Sequence, residues 1–321
     1  MIWYFPLEHS PQRYTTHLDR DIESYLLHSD KEYESIMPEN YESPEIPKGC
    51  FLNAAFTSQF KAAQLTIFFE HVMSGDVKDG DTLFFSDLWF PGIESIAYVK
   101  YFHNLPNLKI KGIIHAGSFT DTDFVRDMER WAKNFEDIIF DISDEVFVAS
   151  EFIKTDILKK RFVQPEKLVV TGLPLDTIGL DSFNYGTLER DNIVVFNGRN
   201  CDEKQPHLFK KLAEEMEGEA LFVNTQEQDY SKEEYYQLLS YSKVVVSYAL
   251  QENFGYGIAE AAYLGCIPVL PNRLVYPELY AKEYLYETFD ESVALVRKAL
   301  SGELKEGKIN SKPCPITRWF K

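Results

Sequence analysis

The chain has 321 residues and a mass of 37.3 kDa, a length that allows about two domains. It carries 33 Lys and Arg against 51 Asp and Glu, a net charge of −18, and 45% of its residues are hydrophobic. This apolar content supplies sizeable cores and excludes an intrinsically disordered chain. The acidity argues against a general polyanion binder, because like charges repel unless basic residues gather locally.

The cysteines and the termini indicate where the protein resides. The apolar start of the chain ends at Glu8 and lacks a basic region, so it predicts a first strand and no signal peptide. No stretch approaches the roughly 18 apolar residues of a membrane span. Four widely spaced cysteines predict neither a disulfide framework nor a zinc site: Cys50, Cys201, Cys266 and Cys314. We therefore expect a cytoplasmic protein.

Short apolar runs alternate with helical patterns along the chain. Helices are predicted at 55–73 and 204–216, where apolar residues recur every three or four positions. The runs are rich in Val, Ile and Phe without strict alternation, as in parallel strands covered on both faces. This order predicts an α/β protein. The predicted strands are 2–7, 81–89, 110–116, 145–150, 167–171, 192–197, 220–224, 243–249 and 267–271.

The weakest core pattern divides the chain in two. Residues 173–191 contain Pro, Gly and no sustained period, which predicts a linker. It separates an N-terminal domain at 1–172 from a C-terminal domain at 192–305, and ligands of open α/β sheets bind in the cleft between such halves. The tail, 306–321, is expected to cross back to the first domain. The acidic stretch 32–48 is expected to be an exposed excursion.

An ordered pattern in the second half indicates a diphosphate site. A strand ends near Ala249, a turn carries Glu252, and Gly255 and Gly257 open a predicted helix that contains Glu260. The free amides and the dipole at a glycine-rich helix start attract phosphate. The two carboxylate oxygens of Glu260 match the two hydroxyls of a ribose cis-diol. In isolation, the two glutamates would be interpreted as a solvated loop acid and a surface helix residue, and the ordered pattern around them favours the functional interpretation.

This pattern resembles the retaining GT-B glycosyltransferases of family 4, whose hallmark is E-x-F-G-(x)₄-E followed by a glycine and Pro-Val. The matching residues are Glu252, Phe254, Gly255 and Glu260, with Tyr256 after the glycine. One residue is extra before Pro-Val, beyond the glutamates. The resemblance implies an α/β GT-B fold of two Rossmann-like domains whose parallel sheets face a central cleft.

A second element carries the same resemblance. Strand 192–197 leads into Gly198 and Arg199, and Lys204 follows at a predicted helix start. By resemblance, Arg199 and Lys204 bind the donor diphosphate and Gly198 lines its site. Fixed cations of this kind stabilise the charge that a diphosphate gains as it departs. Alone, both residues would read as ordinary surface charge.

The resemblance implies a retaining, metal-independent transferase that uses a nucleoside diphosphate sugar, with UDP as the expected nucleotide. Glu260 would hold the ribose and Glu252 the sugar or its phosphate. The expected catalytic residues are Arg199, Lys204, Glu252 and, on the first domain, His115. No cofactor or metal is expected, because the nucleotide sugar is itself the substrate.

Polar and aromatic residues at predicted strand ends of the first half are further candidates. His115 ends a predicted strand and would contact the donor sugar by resemblance, or else cap the strand end. Asp87 and Trp89 end another strand and are candidates for the acceptor side, with an ordinary strand end as the alternative. Asp121 and Asp123 form a D-x-D pair, which we interpret as helix N-terminal acids and not as metal ligands.

The first half also resembles glycosyltransferases of T-even-like bacteriophages, through residues 4–8, 13–15, 80–94 and 112–117. Some of these enzymes place glucose or arabinose on 5-hydroxymethylcytosine in phage DNA, and in such a case the protein would act in the host cytoplasm. A DNA acceptor needs local cations, and a flipped base needs an apolar pocket, for which Trp89 and Phe90 are candidates. The candidate cations are Lys100, Lys109, Lys111, Arg297, Lys298, Lys305, Lys308, Lys312, Arg318 and Lys321.

Other interpretations stay open at this point. The chain could transfer a sugar to a cell-surface glycan or a small molecule. It could bind a nucleotide sugar without transferring it, although intact Arg199, Lys204, Glu252 and Glu260 argue against this. A phosphorylase or epimerase of the same fold needs further acids or histidines, which the sequence does not identify. Charge runs such as 297–321 are also most often solvated surface.

Overall fold

The computed structural model forms two compact α/β units. Unit 1 comprises Met1–Pro174 together with Cys314–Lys321, and unit 2 comprises Leu175–Pro313. The structure describes residues 1–8, 14–39, 41, 53–123, 125–184, 189–305 and 316–321.

Unit 1 is built on a six-stranded parallel sheet of order β2-β1-β3-β4-β5-β6. Its strands are β1 (Ile2–Phe5), β2 (Tyr33–Ser35), β3 (Thr82–Phe85), β4 (Lys109–Ile113), β5 (Glu145–Val148) and β6 (Leu168–Val170). Its helices are α1 (Tyr14–Leu27), α2 (Ala54–Ser74), α3 (Glu94–Phe102), α4 (Glu129–Ile142) and α5 (Glu151–Lys160).

Unit 2 has a five-stranded parallel sheet of order β11-β10-β9-β7-β8. Its strands are β7 (Asp191–Phe196), β8 (Leu221–Asn224), β9 (Ser242–Val246), β10 (Ile267–Pro271) and β11 (Leu285–Tyr286). Its helices are α6 (Thr177–Asp181), α7 (Pro206–Glu215), α8 (Lys232–Tyr241), α9 (Tyr256–Tyr263), α10 (Tyr276–Leu279) and α11 (Phe289–Ser301).

The strand orders fix where ligands can bind. In unit 2, the chain runs outward from β7 to β8 and then returns to the other side of β7 as β9. Open α/β sheets bind ligands outside the carboxyl ends of the strands at such a reversal. The loops after β7 and β9 therefore border the crevice, and these loops contain Arg199, Lys204 and Glu252. Unit 1 has the same reversal between β1 and β3.

Of the eleven strands within the described residues, the sequence predicted nine, and the structure corrects the remainder. Residues 32–48 were expected to be an exposed excursion, but Tyr33–Ser35 pairs with β1 and Ile36 is buried. The short strand β11 was also missed. The linker expected at 173–191 contains the helix α6, with Leu180 buried, and Asp191 already belongs to β7.

The last described residues pack on unit 1. Trp319 is 1% exposed, and its indole Nε1 donates to Thr171 Oγ1 at 3.0 Å. Phe320 stacks on Tyr25 and lies 4.5 Å from Phe84 between ring centroids. Residues 306–315 lie outside the described part of the chain. Within the described part, no helix combines the length and apolar character that a bilayer span requires.

Candidate functional site

The loop after β7 places two cations beside the crevice of unit 2. Arg199 is 43% exposed on its side chain and donates from Nη2 to Glu203 Oε1 at 2.5 Å. Lys204 ends a 3₁₀ turn, Asp202–Lys204, which precedes α7. The sequence expected Lys204 at a helix start, and this turn is the local structure it adopts. Gly198 is required at its position because a Cβ there would lie 2.9 Å from Phe196.

Lys204 joins the loop after β7 to the loop after β9. Its side chain is only 10% exposed, and its Nζ donates to Glu252 Oε2 at 3.1 Å and to the carbonyl oxygen of Gln251. An ammonium has three donors, so one remains for a ligand. Lys204 and Glu252, two residues that the sequence predicted to be functional, are therefore in direct contact.

Glu252 is fixed by the backbone of its own turn. Its Oε1 accepts from the amide of Gly255 at 2.9 Å and from that of Asn253 at 3.2 Å. Gly255 adopts φ 80°, a left-handed conformation that favours glycine, and α9 begins at the next residue. Glu252 is thus not a solvated loop acid but a partner of the helix start. This arrangement holds a carboxylate and an ammonium at the N-terminus of α9.

Glu260 lies on α9 and is buried, which excludes the surface-residue alternative. Its Oε1 accepts from Lys232 Nζ at 3.1 Å and from the Tyr236 hydroxyl at 2.9 Å. Both donors belong to α8. Neither was predicted, although the sequence signal was present: Ser231 and Glu234 form a capping box that starts α8 at Lys232.

A second contact fixes α9 against β7. Asn197 Nδ2 donates to the Gly257 carbonyl at 2.7 Å and to the Tyr235 hydroxyl at 3.1 Å. A Cβ at Gly257 would lie 2.9 Å from that nitrogen, so glycine allows the close approach. Burial and the nearby Glu260 carboxylate raise the pKa of Tyr235 well above its ordinary value. Tyr235 is therefore a neutral hydroxyl at physiological pH.

Tyrosines at the two ends of α10 lie near Glu252. A Cβ at Gly255 would lie 3.5 Å from the Tyr276 ring, and the Tyr276 hydroxyl is 2.8 Å from Ser247 Oγ. Burial, with a smaller contribution from the Glu252 carboxylate, raises the pKa of both Tyr276 and Tyr280 well above the ordinary tyrosine value. These side chains provide a neutral, largely apolar wall. Phe254 is buried with an edge-on contact to Tyr256.

The unit 1 candidates occupy strand ends at the carboxyl edge of their own sheet. His115 Nε2 donates to the Ser86 carbonyl at 2.8 Å, the strand-end contact that was the alternative to sugar binding. Asp87 Oδ1 accepts from the Trp89 amide at 2.9 Å, which fixes the turn between them. The expectation that Phe90 lines a base pocket is wrong, because its side chain is 2% exposed and packs within the core.

A buried ion pair that the sequence did not predict holds Trp89. Glu136 Oε2 accepts from Arg161 Nε at 2.6 Å, and both side chains are at most 1% exposed. The other oxygen, Oε1, accepts from the Ser118 amide at 2.6 Å and from Trp89 Nε1 at 3.2 Å. One buried carboxylate therefore positions both the Trp89 ring and the loop after His115.

The D-x-D pair has structural partners. Asp121 accepts from Lys160 Nζ at 2.8 Å, and this hydrogen bond, together with the lysine charge, lowers the pKa of Asp121. Asp121 is thus not a helix N-terminal acid, whereas Asp123 accepts from the Val125 amide just before a 3₁₀ turn. Among the described residues, no group of three or more His, Cys, Asp or Glu side chains could hold a metal ion.

Several cations proposed for DNA binding are engaged elsewhere. Lys109 pairs with Asp144 and Lys111 with Glu145, at 3.0 and 2.8 Å. Arg297 pairs with Glu219 at 2.7 Å. Lys100 donates to the Leu108 carbonyl at 2.6 Å. Lys298, Lys305, Arg318 and Lys321 are exposed, and Lys308 and Lys312 lie outside the described residues.

Comparison with known sequences finds a match to part of the chain. No protein-family model matches the chain. A segment of 67 residues is 49% identical to the tRNA-queuosine alpha-mannosyltransferase of Drosophila melanogaster and spans 21% of this chain but only 17% of that protein.

Solved structures match along nearly the whole chain. The match to HepE of Anabaena in complex with UDP spans 95% of this chain and 91% of the HepE chain, with a TM-score of 0.64 and 12% identity. The match to the catalytic domain of starch synthase IV from Arabidopsis thaliana, bound to ADP and acarbose, spans 94% of this chain and 95% of that domain's chain. Its TM-score is 0.63, and the identity is 11%. The two parallel-sheet α/β units of this chain have the GT-B fold of these glycosyltransferases.

Proposed function

We propose that this protein is a glycosyltransferase that uses a nucleoside diphosphate sugar as its donor. The observation that carries the proposal is the contact between Lys204 and Glu252 at the start of α9, beside the β7–β9 reversal. Glu260 lies further along the same helix, in its second turn. A diphosphate at the helix start would leave its ribose within reach of Glu260.

The chemistry follows from the charges at this site. As the bond between the anomeric carbon and the phosphate oxygen breaks, the diphosphate gains negative charge, which Lys204 and Arg199 would stabilise. The acceptor hydroxyl attacks the anomeric carbon, and its proton passes to the departing phosphate oxygen. With that oxygen as the base, no enzyme nucleophile and no metal are required. Attack from the side of the leaving group retains the anomeric configuration.

For the donor we infer a UDP-sugar, with glucose or arabinose as the sugar. The inference is supported by the HepE structures with UDP and UDP-glucose, whose fold this chain shares. The Drosophila relative is named for transfer of mannose, so mannose belongs in any donor panel.

For the acceptor we infer a hydroxyl on a modified base of a nucleic acid, with 5-hydroxymethylcytosine in DNA as the first candidate. The phage resemblance of the first half supports it. So does the segment shared with an enzyme named for a modified tRNA base. Lys109 and Lys111 of unit 1 are already paired with carboxylates. Contacts to phosphates would therefore come from exposed cations near the C-terminus, such as Arg318.

The test is nucleoside mass spectrometry after incubating the full chain with hydroxymethylcytosine DNA, queuosine-containing tRNA and a panel of nucleotide sugars. A mass increase of one sugar on one acceptor is the expected result. Lys204→Met should lower turnover by about 10²–10³, whereas Lys210→Met, on the exposed face of α7, should not change it.

Other outcomes decide between the remaining functions. Hydrolysis of a nucleotide sugar without transfer to either nucleic acid would move the acceptor to a glycan or a small molecule. Nucleotide binding without hydrolysis or transfer would instead support a catalytically silent nucleotide-sugar-binding protein. If no nucleotide sugar binds at all, the proposed function is wrong.

A further inference from the structure

The first turn of α8 carries a lysine that the proposed reaction does not use. Ser231 Oγ accepts from the Glu234 amide at 3.2 Å, and Glu234 Oε2 accepts from the Ser231 amide at 2.8 Å. This reciprocal cap fixes Lys232 as the first residue of the helix. The Lys232 ammonium lies 4.5 Å from the ring centroid of Tyr236 and 3.1 Å from Glu260 Oε1.

These contacts change what Glu260 can offer a ribose. A carboxylate oxygen has about two acceptor sites, and Oε1 already accepts from Lys232 and from the Tyr236 hydroxyl. Among the described residues, no hydrogen bond is made to Oε2. In this arrangement the cis-diol meets Glu260 through Oε2 alone, so its two hydroxyls either share that one oxygen or one of them binds another partner.

We propose that Lys232 is that partner and is a ribose-binding residue. Glu260 Oε2 accepts from one ribose hydroxyl, and Lys232 Nζ donates to the oxygen of its neighbour. An ammonium has three donors, of which one is used on Glu260, and the Lys232 side chain is 38% exposed, so a ligand can reach it. The inference rests on the proposed function, because it assumes a nucleotide at this site.

The same contacts suggest a simpler role. Lys232 could serve only to offset the charge of the buried Glu260, as ion pairs in proteins often do. The two roles differ in one measurable respect. A residue that contacts a ribose hydroxyl discriminates between nucleotides with and without that hydroxyl, whereas a residue that only supports Glu260 affects both nucleotides through the carboxylate.

Isothermal titration calorimetry on the full chain separates these roles. The ligands are UDP, 2′-deoxy-UDP and 3′-deoxy-UDP, and the variants are Lys232→Met and the control Lys210→Met. We expect wild type to bind UDP about 10-fold more tightly than either deoxy analogue, because each analogue lacks one contacted hydroxyl, a difference of about 1.4 kcal/mol. The Lys232→Met variant should lose most of the preference for UDP over one deoxy analogue and keep the preference over the other. The hydroxyl missing from the first analogue is then the one that Lys232 contacts.

Each remaining outcome has a definite meaning. If Lys232→Met lowers the affinity for all three ligands by the same factor, or changes the affinity for none, the inference is overturned while the proposed function stands. If wild type binds no nucleoside diphosphate, the proposed function itself fails. Lys232→Gln, which keeps a polar side chain at the exposed first turn, should repeat the result and makes the test independent of one variant's folding.

Discussion

Asp19 on α1 provides a quantitative test of the structure of unit 1. Its carboxylate accepts from the Tyr4 hydroxyl, from Ser86 Oγ at 2.5 Å and from the Leu7 amide at 2.9 Å. Burial nevertheless raises the pKa of Asp19 from 3.8 to about 7, and Glu23 adds a smaller increase. Between these values the folded chain holds a proton that the unfolded chain has released, so stability falls as the pH rises towards 7.

The magnitude follows from the pKa of Asp19 in the folded and unfolded chains. A tenfold difference in proton affinity between the two states corresponds to about 1.4 kcal/mol. Between pH 5 and pH 8 the contribution of Asp19 to the free energy of unfolding should therefore fall by roughly 2–3 kcal/mol. Asp19→Asn cannot ionise and lacks this change. The other ionisable groups are common to both proteins, so the difference between wild type and variant isolates Asp19.

Denaturant unfolding followed by tryptophan fluorescence is a suitable assay, because all four tryptophans lie in unit 1: Trp3, Trp89, Trp131 and Trp319. The stability of wild type relative to Asp19→Asn should decline from pH 5 to pH 8 by the stated amount. A constant difference, or a wild type that gains on the variant as pH rises, would refute the reasoning.

Two further predictions concern packing. A Cβ at Gly265, whose φ is +94°, would meet the guanidinium of Arg190, the flexible end of a side chain that can shift, so backbone strain dominates and Gly265→Ala should destabilise unit 2 by about 1–2 kcal/mol. Adding Arg190→Ala to Gly265→Ala should recover only the steric part of the lost stability, measured by unfolding followed with circular dichroism. Full stability in Gly265→Ala alone would contradict the geometry. Glu136→Leu removes the buried carboxylate that pairs with Arg161 Nε and should cost about 3–5 kcal/mol. The double variant Glu136→Leu with Arg161→Met should recover much of the lost free energy of unfolding, as followed by tryptophan fluorescence. A Glu136→Leu variant whose stability is within about 1 kcal/mol of wild type would contradict this prediction.

The sequence predicted the parts of the fold that depend on burial. The nine predicted strands appear as apolar runs, and several of them, such as β1 and β10, are buried along their whole length. Two strands were missed: β11 has only two residues and is too short to show a pattern, whereas β2 is as long as the predicted β6 but is not an apolar run. The polar Glu34 at the centre of β2 made it look like a loop, although pairing with β1 places it in the sheet.

The candidate site residues predicted from the sequence lie in two short ordered patterns, 198–204 and 252–260. Glu252 and Glu260 belong to one ordered pattern, and Gly255 between them is required by its positive φ. Lys232 and Tyr236 were missed because their contact with Glu260 depends on how α8 packs against α9, which no local spacing encodes. The orientation of Phe90 into the core was unpredictable for the same reason.

The central claim is that a nucleoside diphosphate sugar binds unit 2 at the start of α9. A crystal structure of the full chain with UDP-glucose tests it directly. The predicted result places diphosphate oxygens within hydrogen-bond distance, about 3 Å, of Lys204 Nζ, with the ribose at Glu260. A nucleotide bound away from Lys204, Glu252 and Glu260 would contradict the claim.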